Sequence, residues 1–272
     1  MSISLKLMSS SSPLILEARG ISLYNGNKGL LEVITISVKA GEMIGLLGPN
    51  GSGKSTLLKI LACLSEPSEG DVLLNGKPII RLNRKSIART IGYLPQGANS
   101  TWPISAREIV MLGRIPFLSS LSKISEVDHS AVNNAMLATD TTHLSKREVT
   151  KLSCGERMRI MIARVLAGDP SLLLLDEPVT GLDPRHQLEA MILLKQLALT
   201  GRSSLMVLHD ITLAARFCDR IYVLNNGRII SEGFPSEALN IEIMASVFGV
   251  ETRRIEEGNE VLIIPWSLHE QS

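Results

Sequence analysis

Eight consecutive residues constrain this chain more than any other stretch. Gly48, Pro49, Asn50, Gly51, Ser52, Gly53, Lys54 and Ser55 follow the uninterrupted apolar run Met43–Leu47 and lead into Thr56 and a leucine-rich segment ending at Leu61. An apolar run without polar alternation suits a strand buried on both faces of a parallel sheet, and residues 56–61 have a helical composition. Strand, glycine-rich turn and helix in that order match G-x-x-x-x-G-K-S. Glycines let backbone N–H groups turn inward with no Cβ in the way, and a helix N-terminus adds partial positive charge, so such a turn cradles phosphates. Lys54 would set its ammonium against the β- and γ-phosphates, and Ser55 would offer its hydroxyl to Mg²⁺.

Residues 172–175 and 205–208 are two further short apolar runs, each ending in a polar turn. Ligands of open parallel sheets lie beyond the carboxyl ends of the strands, so the residues that follow each run are the informative ones. After the four leucines come Asp176, Glu177 and Pro178; consecutive strand side chains diverge, so the two carboxylates can serve different partners. Asp176 would hold Mg²⁺ through its water, and Glu177 would orient or deprotonate the water attacking a γ-phosphate. His209 ends the other run, where a ring N–H could bond the γ-phosphate or that water. Gln96, after Tyr93 and Pro95, is an amide that could ligate or sense the metal.

The rest of the chain supports one large α/β unit with a smaller insertion. In 272 residues, 28 basic side chains face 27 acidic ones, and aromatics are only 3%, so neither a basic stripe nor stacking platforms mark a nucleic-acid surface. Cys63, Cys154 and Cys218 are odd in number and widely spaced, which argues against a disulfide framework or zinc site and fits a reducing compartment. No apolar run reaches the roughly 18 to 20 residues of a membrane span, and residues 1–13 read as a frayed end instead of a signal peptide; the expected location is the cytosol. Residues 14–38, with a turn at Asn25 and Gly26, read as short antiparallel strands, and Asn75-Gly76 as a hairpin turn between residues 71–74 and 78–80. Between Gly97 and Gly168 the pattern turns helical, with Ser125 and Asp128 as a start signal and Gly168, Asp169 and Pro170 as a stop. One helix over about 236–248 and a hairpin over 251–265 around Gly258 and Asn259 close the chain. Ser153 and Glu156 form a capping box that opens a helix over 157–167, and Asp183-Pro184 reads as an N-cap with proline at the first helical position.

In this order, the phosphate loop, Gln96, L-S-x-G-E at Leu152 to Glu156, L-L-L-L-D-E-P, Gly181-Leu182-Asp183 and His209 resemble the ATPase subunit of ATP-binding-cassette transporters, over about residues 14–250. The resemblance implies a P-loop NTPase fold: a RecA-like parallel sheet core, an antiparallel β subdomain, and a helical subdomain inserted at about 97–168, with residues 251–272 as a tail. It implies ATP and Mg²⁺ as cofactors, with Ser55, Gln96 and Asp176 around the metal and Glu177, His209 and Gln96 as the catalytic set. Tyr24 matches the aromatic that stacks on adenine. Two ATPase subunits of that family close head to tail as a homodimer, so Ser153 and Gly155 would complete the partner's site and Asp183 would cross the dimer. One departure is Cys154, where the family usually has glycine. Its bulk, and the lowered thiol pKa that a helix N-terminus can impose, would make the closed site slower or sensitive to thiol reagents; the alternative is a small core residue inside the helical subdomain.

Residues 102–116, beginning at Trp102 and containing Val110, Leu112, Gly113, Arg114 and Pro116, resemble the V-x-L-G-R-x-P run of the subgroup serving importers of ferric siderophores, haem and cobalamin, as does the tail at residues 247–250. Phe117 stands where that subgroup often has histidine, and zinc or manganese importers share part of the run. Ile109, Val110 and Leu112 also read simply as helical-subdomain core. The resemblance implies a membrane permease docked near Gln96 to Pro116, an extracytoplasmic substrate-binding protein acting indirectly, no nucleic acid, and a peripheral position on the cytoplasmic face of the membrane. Two rivals are a non-transport cassette ATPase and a nucleotide kinase. A single phosphate loop and the short interval from Lys54 to Ser153 leave little room for the first, and L-S-x-G-E has no use in the second.

Overall fold

The computed structural model describes residues 13–26, 28–97, 103–119, 123–257 and 260–269. Trp102, the Gly258-Asn259 turn and residues 1–12 lie outside them. Strands β1 (Leu14–Asn25) and β2 (Lys28–Lys39) pair antiparallel and are longer than their alternation predicts. Register shifts between Ala18 and Ile21 and between Ile21 and Leu23 change which face successive residues occupy, and that breaks the period-two pattern. After β3 (Met43–Leu47) and helix α1 (Lys54–Leu61), β4 (Glu69–Leu74) joins β1, and β5 (Lys77–Pro78) pairs with β4 for two residues. The expected second arm at 78–80 instead becomes a 3₁₀ turn, Ile79–Arg81, because Pro78 has no N–H to extend the ladder.

Helix α2 (Arg84–Thr90) precedes β6 (Ile91–Leu94), and then comes the helical stretch: α3 (Ala106–Met111), a 3₁₀ segment Leu112–Phe117, α4 (Glu126–Ala138) and α5 (Cys154–Ala167). Ser105, Ser125 and Ser153 each cap their helix, and the residue three further on, Glu108, Asp128 or Glu156, reaches back to close the capping box. Ile109 and Val110 are core, but Leu112 is 44% exposed, a correction to reading it as interior. β7 (Leu172–Asp176), α6 (Pro184–Leu199), β8 (Ser203–Val207), α7 (Ile211–Phe217), β9 (Arg220–Asn225) and β10 (Arg228–Gly233) complete the core. The single helix expected at 236–248 is two, α8 (Pro235–Ala238) and α9 (Ile241–Phe248); Asn240 breaks the run and caps α9 by accepting from the Ile243 N–H at 2.9 Å. Strands β11 (Val250–Glu257) and β12 (Glu260–Leu268) form the terminal hairpin.

The large sheet runs β10-β9-β3-β8-β7-β6, parallel from β9 to β6 with β10 as an antiparallel edge. Its burial on both faces explains the unbroken apolar strands. Leu172 and Leu174 join the core shared with α1 and the antiparallel sheet, whereas Leu173 and Leu175 join the core shared with α5, α6 and α7.

Candidate functional site

Neighbouring parallel strands β3, β8, β7 and β6 bring four loops to one edge of the sheet, and these loops carry the phosphate-loop residues, His209, Glu177 and Gln96. Gly48 leaves β3 at φ 148, and a Cβ there would lie 1.9 Å from the Leu224 carbonyl oxygen, so only glycine lets the loop turn this close to β9. Gly53 caps α1 in a left-handed conformation without a side-chain cap, and the first turn carries no acidic residue. The N–H groups of that turn are therefore left for an anion. Lys54 is buried, and its ammonium donates to the carbonyls of Gly48 and Pro49, both at 2.8 Å. Burial pushes the Lys54 pKa down, against the opposing charges of Glu177 and Asp176. The Ser52 hydroxyl is buried within the loop and has no hydrogen-bond partner among the described residues.

Ser55 Oγ donates to Asp176 Oδ1 at 3.1 Å. Burial raises the Asp176 pKa; Ser55 opposes the shift, Glu177 adds to it, and the charges of Lys59 and Lys54 oppose it. The adjacent Glu177 shifts the other way. Burial would raise it, but hydrogen bonds and charge from His209, with further hydrogen bonds from Thr180 and Gln96, hold its carboxyl below the usual range. His209 Nε2 lies 2.6 Å from Glu177 Oε1, where an N–H donates to the carboxylate. Two neighbouring acids with opposite shifts suit different tasks. Buried, with a hydroxyl oxygen beside it, Asp176 offers the hard oxygen donors that suit Mg²⁺ when phosphates and water supply the remaining positions. The residues present thus fit that ion.

A second group stands on α5 and α6. Ser153 Oγ accepts from the Glu156 N–H, Gly155 is buried against the His186 ring, and Asp183 caps α6 by accepting from the His186 N–H at 3.1 Å. Cys154 is exposed, which removes the alternative of a small core residue. Tyr24, 45% exposed, is the penultimate residue of β1, and its backbone N–H donates to Ser68 Oγ. Sequence reasoning missed Thr180 and His186. Thr180 lies three residues past Glu177 on the turn that follows β7, and His186 holds the third helical position after an aspartate cap; both spacings were readable signals.

A phosphate loop, a buried aspartate with a serine hydroxyl, and a hydrogen-bonded glutamate on one sheet edge define a P-loop nucleotide-hydrolysing enzyme. The profile of the ABC transporter family matches residues 31–180. The haemin import ATP-binding protein HmuV of Pseudomonas aeruginosa is 39% identical over 257 residues, covering 92% of this chain and 99% of its own. The petrobactin import ATP-binding protein FpuD of Bacillus anthracis is 38% identical, covering 87% of each chain. Among solved structures, an inward-facing metal-chelate type ABC transporter superposes with a TM-score of 0.81 at 25% identity, over 93% of this chain and 98% of that one. A dimeric ATP-binding cassette in a post-hydrolysis state, bound to ADP and Pi, gives 0.71 at 28% identity over 81% and 98%. The chain belongs to the ABC transporter family, as an ATP-binding cassette that hydrolyses ATP.

Proposed function

We propose that this chain is the ATPase subunit of an importer that takes up an iron complex, haem or cobalamin through a membrane permease, working as a homodimer on the cytoplasmic face of the membrane. One observation carries the cargo class: two relatives aligned along nearly the whole chain are named for haemin and petrobactin import. Residues 14–250 form the ATPase unit, with the helical insertion at about 97–168 and residues 251–272 as its tail. Among the described residues no helix is long and apolar enough to cross a membrane, in keeping with a subunit that docks on one. The permease docks near Gln96 to Pro116, beside a groove lined by Arg89, Arg114, Phe117 and Val127. An extracytoplasmic binding protein delivers the cargo on the far side.

Each residue has a task. Tyr24 stacks on the adenine. The backbone of Gly48 to Thr56, through the N–H groups that every residue but Pro49 carries, and the Lys54 ammonium bind the phosphates, and Ser55, Asp176 and Gln96 would hold Mg²⁺. When bound, the ion neutralises charge on the β- and γ-phosphates. Glu177, ionised because His209, Thr180 and Gln96 hold its pKa down, accepts the proton of the attacking water, and His209 keeps that carboxylate aimed. Ser153, Gly155 and Asp183 of one copy close over the nucleotide held by the other.

Lys54→Ala removes the phosphate cation and should weaken Mg-ATP binding about tenfold or more, whereas Glu177→Gln should keep binding and lose about a hundredfold or more in turnover. Equilibrium binding and phosphate release measure the two. A Glu177→Gln chain with full turnover removes the base assignment. For the cargo, the chain and its permease in proteoliposomes should hydrolyse ATP faster with binding protein loaded with haemin, ferric siderophore or cobalamin than with zinc; the reverse order would point to a metal-ion importer instead.

A further inference from the structure

Gly155, at the start of the last inserted helix, and Asp183, on the core, both touch His186. The His186 backbone N–H donates to Asp183 Oδ1 at 3.1 Å, and its ring Nδ1 lies 2.6 Å from Asp183 Oδ2. A carboxylate oxygen only accepts, so Nδ1 carries the hydrogen, and one residue occupies both oxygens of the aspartate that caps α6. The bonds from His186, the backbone one foremost, hold the Asp183 carboxyl below its usual range, so the acceptor is ionised. On the other side, a Cβ built on Gly155 would lie 3.0 Å from the ring Cγ, 3.1 Å from Nδ1 and 3.2 Å from Cδ2. The ring fills the place where any other residue at 155 would carry its side chain. One imidazole thus joins the L-S-x-G-E turn of α5 to the loop that opens α6.

We propose that His186 is a positioning residue that holds residues 153–155 and Asp183 in one register, so that the surface this chain lends to a second copy's nucleotide is presented as a unit. The inference rests on the two-copy site proposed above. Two segments from different elements must both match one nucleotide; tying them beforehand removes an ordering cost that would otherwise fall on association. Loss of the tie should therefore weaken closure of the pair while leaving nucleotide binding to the chain's own phosphate loop unchanged.

The test uses the full chain in a Glu177→Gln background, with sedimentation in Mg-ATP for dimerisation and mant-ATP titration of dilute protein for binding to its own loop. His186→Ala should raise the dimer dissociation constant about tenfold or more and leave mant-ATP affinity within about twofold. His186→Asn, whose amide N–H reaches the position of Nδ1, should recover most of the loss; His186→Phe keeps a ring but has no donor and should not. In the hydrolysing chain, His186→Ala should lower kcat about tenfold with KM for ATP within about twofold, a split that general loosening does not produce. Equal dimerisation of the Glu177→Gln chain with and without His186→Ala overturns the proposal. Should His186→Ala not fold, equal dimerisation by His186→Asn and His186→Phe overturns it. A Glu177→Gln chain that binds mant-ATP but never dimerises overturns the two-copy reading, and this proposal with it.

Discussion

Glu177 holds φ 54, a left-handed conformation that residues with a Cβ rarely adopt. Strain of this kind costs about 1–3 kcal/mol and persists only where neighbouring contacts determine it; here those contacts are His209, Thr180 and Gln96. The sequence pattern read the divergence of Asp176 and Glu177 as strand alternation, but β7 ends at Asp176 and the left-handed turn does the separating. Composition carries no signal for such a φ. The thiols show the same limit: position along the chain left Cys154 open between surface and core, and only packing decides. Cys63 and Cys154 are exposed, whereas burial first, and then the charge of Asp219, pushes the Cys218 thiol up to about 12. A maleimide should therefore modify Cys63 and Cys154 in the native chain and reach Cys218 only after unfolding, as peptide mass mapping would show. In a Cys63→Ser chain, the adduct at Cys154 adds bulk beside Ser153 and should lower ATPase activity; a full rate after complete Cys154 modification would remove that role.

At the scale of elements, capping and punctuation were the legible part. Ser125 with Asp128, Ser153 with Glu156 and Asp183 with Pro184 start helices where their chemistry says they should, because these signals are local. The residues 110–116 run was legible only as a resemblance, and packing gives it a physical reason. A Cβ on Gly113 would lie 2.0 Å from the Arg164 carbonyl oxygen, so the glycine lets the 3₁₀ segment lie flat on α5. Arg114 is buried, donates to Asp128 Oδ1 and the Ala167 carbonyl at 2.9 Å each, and stacks 3.8 Å from the Phe117 ring centroid. The run therefore clamps the start of α4 to the end of α5. Gly113→Ala should destabilise the chain by about 1–3 kcal/mol, measured by denaturant unfolding. The pKa of Asp128 is lowered from 3.8 to about 2, by the Ser125 hydroxyl and N–H foremost and then by Arg114. A depressed carboxylate stabilises the fold above its unfolded pKa and loses that contribution as pH falls through the folded one. The melting-temperature gap between the native chain and Asp128→Asn should thus be full above about pH 4 and shrink toward about pH 2. A gap that ignores pH in that window would sever the clamp from the ionised state.

Across the whole molecule, what the sequence could not place was how separate pieces brace the site. The β9–β10 turn reaches the phosphate loop, since the Gly227 N–H donates to the Ser52 carbonyl at 3.1 Å, and Arg228 pairs with Glu32 of the antiparallel sheet. These contacts join residues far apart in the chain, beyond the reach of any local pattern. The terminal hairpin braces the opposite flank. Ile263 of β12 is fully buried, its carbonyl accepts from Thr212 Oγ1 of α7 at 3.1 Å, and Arg254 donates to the Leu239 carbonyl at 2.7 Å. α7 begins directly after His209 and Asp210, so the hairpin supports the helix whose first turn sets the histidine that holds Glu177. Trp266, on the same strand, is 60% exposed with Arg253 at 3.7 Å from its ring centroid, and it contributes little beyond that contact. Ile263→Ala should therefore cost about 2–5 kcal/mol, and Trp266→Ala about 1 kcal/mol or less. Ile263→Ala should also lower kcat by about threefold or more at a temperature where the chain is still folded, because a small displacement of His209 frees the Glu177 carboxylate from its aim. Unfolding curves and steady-state hydrolysis on the two variants measure both effects. If the two substitutions cost the same stability, or if Ile263→Ala melts earlier at an unchanged kcat, the hairpin does not brace the catalytic edge.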